Sequence, residues 1–152
     1  MKRVLIALDY HPVSEKVAEK GYELARSMDA RVCLLHVLDD VGFYSTQYPT
    51  FLGYEGYPDI GPSFNVAMEM QNIAKEFLDK AASHLNDPNL TTHLAEGDTA
   101  KALLAYAEEW EADLIVMGTH SHSALEKLFM GTVAQKVLEK TKIPVYMVPV
   151  KK

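Results

Sequence analysis

The chain has 152 residues, about half of them hydrophobic and a quarter charged, which suits one globular domain spanning 1–152 with a substantial core. A formal net charge of -6 argues against wrapping nucleic acid or docking on anionic lipid. It leaves anion binding open, because a phosphate site needs local backbone amides rather than net positive charge.

Met1-Lys2-Arg3 leads into Val4-Leu5-Ile6-Ala7-Leu8, an apolar run too short for a signal peptide and closed by Asp9. Such a run reads as a strand buried on both faces, as in parallel sheets. Ser14 offers a helix cap, with Glu15 and Glu19 near the positive end of the dipole. Val17, Ala18, Gly21, Tyr22, Leu24, Ala25 and Met28 then recur at helical spacing to about Asp29. Arg31 to Leu38 is a second strand. It carries the one cysteine, Cys33, which reads as a small buried hydrophobe of a reducing compartment, and His36, which reads as a satisfied core histidine.

Residues 39–64 show no period and combine glycines, prolines and seven aromatics, among them Tyr44, Tyr48, Phe51, Tyr54 and Tyr57. A loop of that length is functional or mobile as a rule, and its aromatics read first as cover for a small core of the loop's own. Helical spacing resumes from about Asn65 to Leu85 through Met68, Ile73, Phe77, Leu78 and Ala81, before the turn at Asn86-Asp87-Pro88-Asn89. A short strand at Leu90–Ala95 precedes a helix capped by Asp98 or Thr99, whose apolar side is Ala102, Leu103, Tyr106, Ala107 and Trp110. Leu114 to Met117 is a further buried strand. Thr132 is a cap for a helix to about Lys140, with Val133, Val137 and Leu138 inward, and the last strand runs from Ile143 to Val150 between prolines.

Strands alternating with helices imply one parallel sheet with helices on both faces. Ligands of such sheets sit beyond the carboxyl ends of the strands, where strand order reverses, which draws attention to Asp9, Asp39 and the segment after Met117. That segment reads Gly118-Thr119-His120-Ser121-His122-Ser123-Ala124 and ends in Gly131-Thr132 at a helix start. Glycines let amides approach an anion closely, and a helix start adds free N–H groups and a positive dipole end. The alternative is a polar loop whose glycines serve only backbone turns.

The segment resembles the signature of the universal stress protein family in its ATP-binding branch: Gly, two residues, Gly, nine residues, Gly, then Ser or Thr. Here Gly118 is followed after two residues by Ser121 in place of the middle glycine, and after nine more by Gly131-Thr132. Ile115 to His120, Leu34-Leu35-His36-Val37, Ile143-Pro144-Val145 and the strand ending in Asp9 before Ser14 are also similar to that family, so the resemblance covers essentially the whole chain. It implies a doubly wound five-stranded parallel sheet of order 3-2-1-4-5, of the adenine nucleotide alpha hydrolase type.

It further implies that Ala7 and Val37 line an adenine slot, that Met117 packs near the base, and that Asp9 accepts hydrogen bonds from the ribose. Gly118, His120 and Ser121 would border ribose and phosphates, and Gly131, Thr132 and Val133 would hold phosphate. The ligand would be ATP, ADP or AMP, with Mg2+ or Mn2+ bridging the phosphates of ATP. The last strand, 144–150, would pair with its copy in a homodimer.

Other chemistry is less well supported by the residues. His120 and His122 lack an evident third metal ligand. The serines beside them lack the nucleophile elbow and a placed orienting acid, and the lysine of the P-loop is missing, with Lys127 read as a helix-surface cation. His11, His84 and His93 enter no arrangement. No stretch reaches the length of a membrane span. The expectation is a cytoplasmic, nucleotide-responsive regulatory protein rather than an enzyme, with a nucleotide-free interaction module or a weak ATPase as alternatives.

Overall fold

Continuous apolar runs become the centre of a five-stranded parallel sheet. The computed structural model describes residues 1–10, 14–38, 60–119 and 131–149. The strands are β1 (Arg3–Ala7), β2 (Arg31–Leu38), β3 (Thr91–Glu96), β4 (Leu114–Gly118) and β5 (Val145–Val148). The helices are α1 (Ser14–Ser27), α2 (Ile60–Leu85), α3 (Thr99–Glu109) and α4 (Thr132–Lys140). Strand order is β3-β2-β1-β4-β5 with every pairing parallel, which is the order the family resemblance implied.

Alternate residues of the central strands face opposite layers of helix. Leu5, Cys33, Leu35, Ile115 and Met117 pack with Leu103 and Ala107 of α3 and with Ala134 and Val137 of α4. Val4, Ile6, Val32, Leu34 and Val116 pack with Val17, Ala18 and Ala25 of α1 and with Leu78 of α2. Each fully buried side chain of this kind contributes about 1.5–3 kcal/mol. At Gly21 the helix α1 lies so close to the sheet that a Cβ there would stand 2.9 Å from Ile6 Cδ1 and 3.0 Å from Val116 Cγ1. Glycine is what permits that approach.

Several sequence expectations shift by a few residues. Helix α2 begins at Ile60 rather than Asn65, so Gly61 and Pro62 fall in its first turn. Proline is tolerated there because its missing N–H would have no helical partner. Met68 and Ile73 are 49% and 52% exposed, and the inward residues of α2 are Ala74 and Leu78. In α4, Leu138 is exposed and Ala134 takes its inward place beside Val137. Gly131, not Thr132, caps α4, and Asp98 caps α3 by accepting the Lys101 amide at 3.1 Å. Strand β5 is shorter than expected, ending before Pro149 and starting after Pro144, neither of which has an N–H for a ladder. Among the described residues no helix is long and apolar enough to cross a membrane.

Candidate functional site

Strands β1 and β4 are neighbours, and the chain leaves them in opposite directions across the sheet: from β1 to β2 on one side, from β4 to β5 on the other. Their carboxyl ends therefore frame the crevice typical of doubly wound sheets. Pairing of β1 continues one residue past its end through Leu8 N to Leu35 O at 2.8 Å, which brings Asp9 to the rim. The Ser14 hydroxyl at the start of α1 contacts both the Asp9 carbonyl and, at 3.0 Å, Asp9 Oδ1.

On the β4 side, Thr119 N donates to Val148 O at 3.1 Å, and Gly131 N donates to Thr119 O at 2.7 Å. The second bond ties the start of α4 to the end of β4. Gly131 caps α4 with extended backbone (φ -69°, ψ 159°) and without a side-chain hydrogen bond, and the first helical bond runs from Gln135 N to Gly131 O at 3.0 Å. The amides of Thr132, Val133 and Ala134 thus precede the first possible intrahelical donor and carry the positive end of the dipole. The Gly131 amide itself is committed to Thr119.

Ala7, Val37 and Met117 belong to one sheet face, the face that packs against α3 and α4, and Val133 packs against the same cluster. The residues expected to line a base slot and those expected at the phosphate end are consequently on one side of the sheet at one edge. Gly118 ends β4 beside them. His120 and Ser121 lie outside the described residues, as do His122, Lys127 and the aromatics from Phe43 to Tyr57.

On the other face, His36 is 5% exposed and its Nδ1 donates to Leu8 O at 2.8 Å, because a carbonyl only accepts. Its ring packs against Tyr10, centroids 4.5 Å apart, and Phe77, 5.3 Å apart. It is the satisfied core histidine expected, yet the aromatic pair around it was invisible in sequence, since Tyr10 and Phe77 come from distant segments. Burial pushes the Cys33 thiol up, which keeps it protonated among apolar neighbours. Tyr106, whose hydroxyl lies 3.7 Å from Cys33 Sγ, is pushed up to about 12 chiefly by burial. His93 stacks on Tyr106 at 3.8 Å, and His84 pairs with Glu19 at 3.0 Å.

The opposite, amino end of the sheet is closed by ion pairs. Arg3 N bonds Asp113 Oδ2 at 2.9 Å, and the Arg3 guanidinium reaches Trp110 O at 2.7 Å and Glu111 at 3.2 Å. A cavity beside this network is lined by Tyr22, Arg26, Arg31, Asp87 and Trp110 among others. Among the described residues no group of three or more His, Cys, Asp or Glu gathers to hold a metal ion.

This architecture, a doubly wound parallel sheet with a helix start at its switch point, defines the class. A profile described as the universal stress protein family matches residues 1–149, and the chain belongs to that family. A universal stress protein of Methanocaldococcus jannaschii is 28% identical over 149 residues, covering 97% of this chain and 81% of the relative. Among solved structures, a universal stress protein from Lactobacillus plantarum superposes with a TM-score of 0.76 at 18% identity, covering 97% of each chain. A universal stress protein in complex with cAMP gives 0.61 at 20% identity, covering 97% of this chain and 96% of the other. The one from Archaeoglobus fulgidus in complex with dAMP gives 0.57 at 21% identity, covering 97% of each.

Proposed function

We propose that this universal stress protein binds an adenine nucleotide at the carboxyl edge between β1 and β4, and acts as a cytoplasmic, nucleotide-responsive regulator rather than an enzyme. The observation that carries this reading is the bond from Gly131 N to Thr119 O. It holds the amino end of α4, with its anion-attracting amides, against the end of β4, next to the strand that delivers Asp9. The shared face of Ala7, Val37 and Met117 supplies the apolar wall a base needs. The cAMP and dAMP complexes of structural neighbours support the adenine class of ligand.

In this reading the base lies against Ala7, Val37 and Met117, the ribose hydroxyls donate to Asp9, and the phosphates meet the amides of Thr132 and Val133 and the Thr132 hydroxyl. Gly118, His120, Ser121 and Gly131 border the sugar and phosphates. If the nucleotide is ATP, Mg2+ or Mn2+ would bridge its phosphates. A partner reads the surface that binding alters, and the ligand shifts that equilibrium only by its differential affinity for the two states.

A homodimer through β5 is part of the proposal. β5 is an edge strand whose Tyr146 is 42% exposed, with Val145 and Met147 half-buried. An apolar edge of this kind invites pairing with a second copy.

Denaturing the purified protein and analysing the released small molecules tests the reading. An adenine nucleotide near one per chain, or a rise in melting temperature with millimolar ATP and magnesium, is the expected result. Absence of both points instead to a nucleotide-free interaction module.

A further inference from the structure

We propose that the cavity at the amino end of the sheet, away from the nucleotide edge, is a second binding site, which takes a small organic phosphate with a flat apolar body. The cavity measures about 750 Å³, within the range of small-molecule sites, about 300–1,000 Å³. It lies where α1 finishes, α2 turns into β3 and Trp110 follows α3.

The state of its arginines marks it. Arg3, at the same end of the sheet, commits its guanidinium to Trp110 O and Glu111. Arg26 and Arg31, which line the cavity, form no ion pair among the described residues. Two carboxylates share the lining. Asp87 is taken internally: its Oδ2 accepts the Tyr22 hydroxyl at 2.9 Å and its Oδ1 the Asn89 amide at 2.9 Å. Asp29 alone remains to balance two guanidinium groups. The bonds of Asp87 also position Arg26. They hold Tyr22, four residues earlier on α1, and Arg26 Cζ lies 6.0 Å from the centroid of that ring. A guanidinium resting on an aromatic ring loses less freedom when its fork of donors meets a phosphate. Arg31 is anchored at the start of β2, its amide donating to Lys2 O at 2.8 Å. Tyr22 and Trp110 add the aromatic surface that suits a flat ligand body.

Trp110 is the only tryptophan of the chain, so its fluorescence and its single indole N–H resonance report on this cavity. Phenyl phosphate is titrated into the full chain, with phenol as the uncharged counterpart, and amide resonances locate the contact. The expected result is a saturable change at Trp110 and at the amides of residues 30–32 and 89–91, with phenol at least about tenfold weaker. Arg26→Gln and Arg31→Gln, at exposed positions that leave the fold intact, should each weaken phenyl phosphate at least about threefold. Gly131→Val, at the opposite end, should bind it within about twofold of the wild type. A response that does not saturate, equal affinity in both arginine variants, or phenol binding as tightly as its phosphate overturns the proposal. So does a response confined to the start of α4 and lost in Gly131→Val, which would return the phosphate to the nucleotide edge. Failure of AMP to bind would overturn the nucleotide reading and leave this result standing, since the two sites are read at different residues.

Discussion

The two ends of the sheet are built from the same strands and treat their polar groups in opposite ways. At the amino end, Arg3 and Asp113 bond each other's main chains, and the Arg3 guanidinium is shared by Trp110 O and Glu111. Donors there meet acceptors from the chain itself. At the carboxyl end, α4 begins at a glycine cap with no side-chain bond, against the end of β4. Donors are gathered there without a matching set of internal acceptors in the helix. The difference separates an end that closes on itself around Arg3 from the end where the proposed nucleotide would sit, and it is open to direct attack.

The largest effect should fall between the two ends. Gly21→Val drives a branched side chain into Ile6 and Val116, the strand centres on which both ends depend, and should cost about 3 kcal/mol in urea denaturation. Gly131→Val puts an isopropyl group at a buried cap beside the first amides of α4; it should weaken AMP binding by about thirtyfold, about 2 kcal/mol, and also lower the melting temperature. Arg3→Met is its counterpart at the other end. It should cost about 1 kcal/mol of stability, because Arg3 is partly exposed and its bonds are screened, and leave AMP affinity unchanged. A drop in affinity with Arg3→Met, or none with Gly131→Val, would erase the contrast.

The smallest effect lies on neither end. The hydrogen bond that His84 donates to Glu19 raises His84 above its ordinary value and links α2 to α1. A group whose folded pKa is raised stabilises fully below its unfolded value of about 6.5 and stops doing so as pH rises through the folded value. The stability difference between wild type and His84→Gln should accordingly be measurable in mildly acid solution and vanish in mildly alkaline solution. A difference that grows with pH contradicts that assignment.

The central strands and the positions that follow them were legible because burial on both faces leaves an unbroken apolar run, as in Val4 to Leu8 and Val32 to Leu35. Asp9 and Gly118 stood out for the same reason, since each follows such a run at a strand's carboxyl end, whereas Thr132 stood out as a helix start after a glycine. The helices were less transparent. Met68, Ile73 and Leu138 are apolar at helical spacing yet exposed, because spacing fixes which residues share a stripe and not which stripe the sheet covers. Pro62 read as a loop residue because a first-turn proline carries no local mark of the helix that follows. Ser14 read as a cap; that its hydroxyl bonds Asp9, five residues earlier, is a tertiary detail no periodicity records. The packing of Tyr10 and Phe77 around His36 joins three segments and is a property of the tertiary fold alone.

The central claim is that the amides at the start of α4 and the carboxylate of Asp9 serve one ligand. Titration of AMP into wild type, Asp9→Ala and Gly131→Val by calorimetry addresses it most directly. Saturable binding near one site per chain, weakened at least about tenfold in each variant, is the predicted result. Binding of equal strength in all three proteins, or none by the wild type at millimolar AMP, would contradict it.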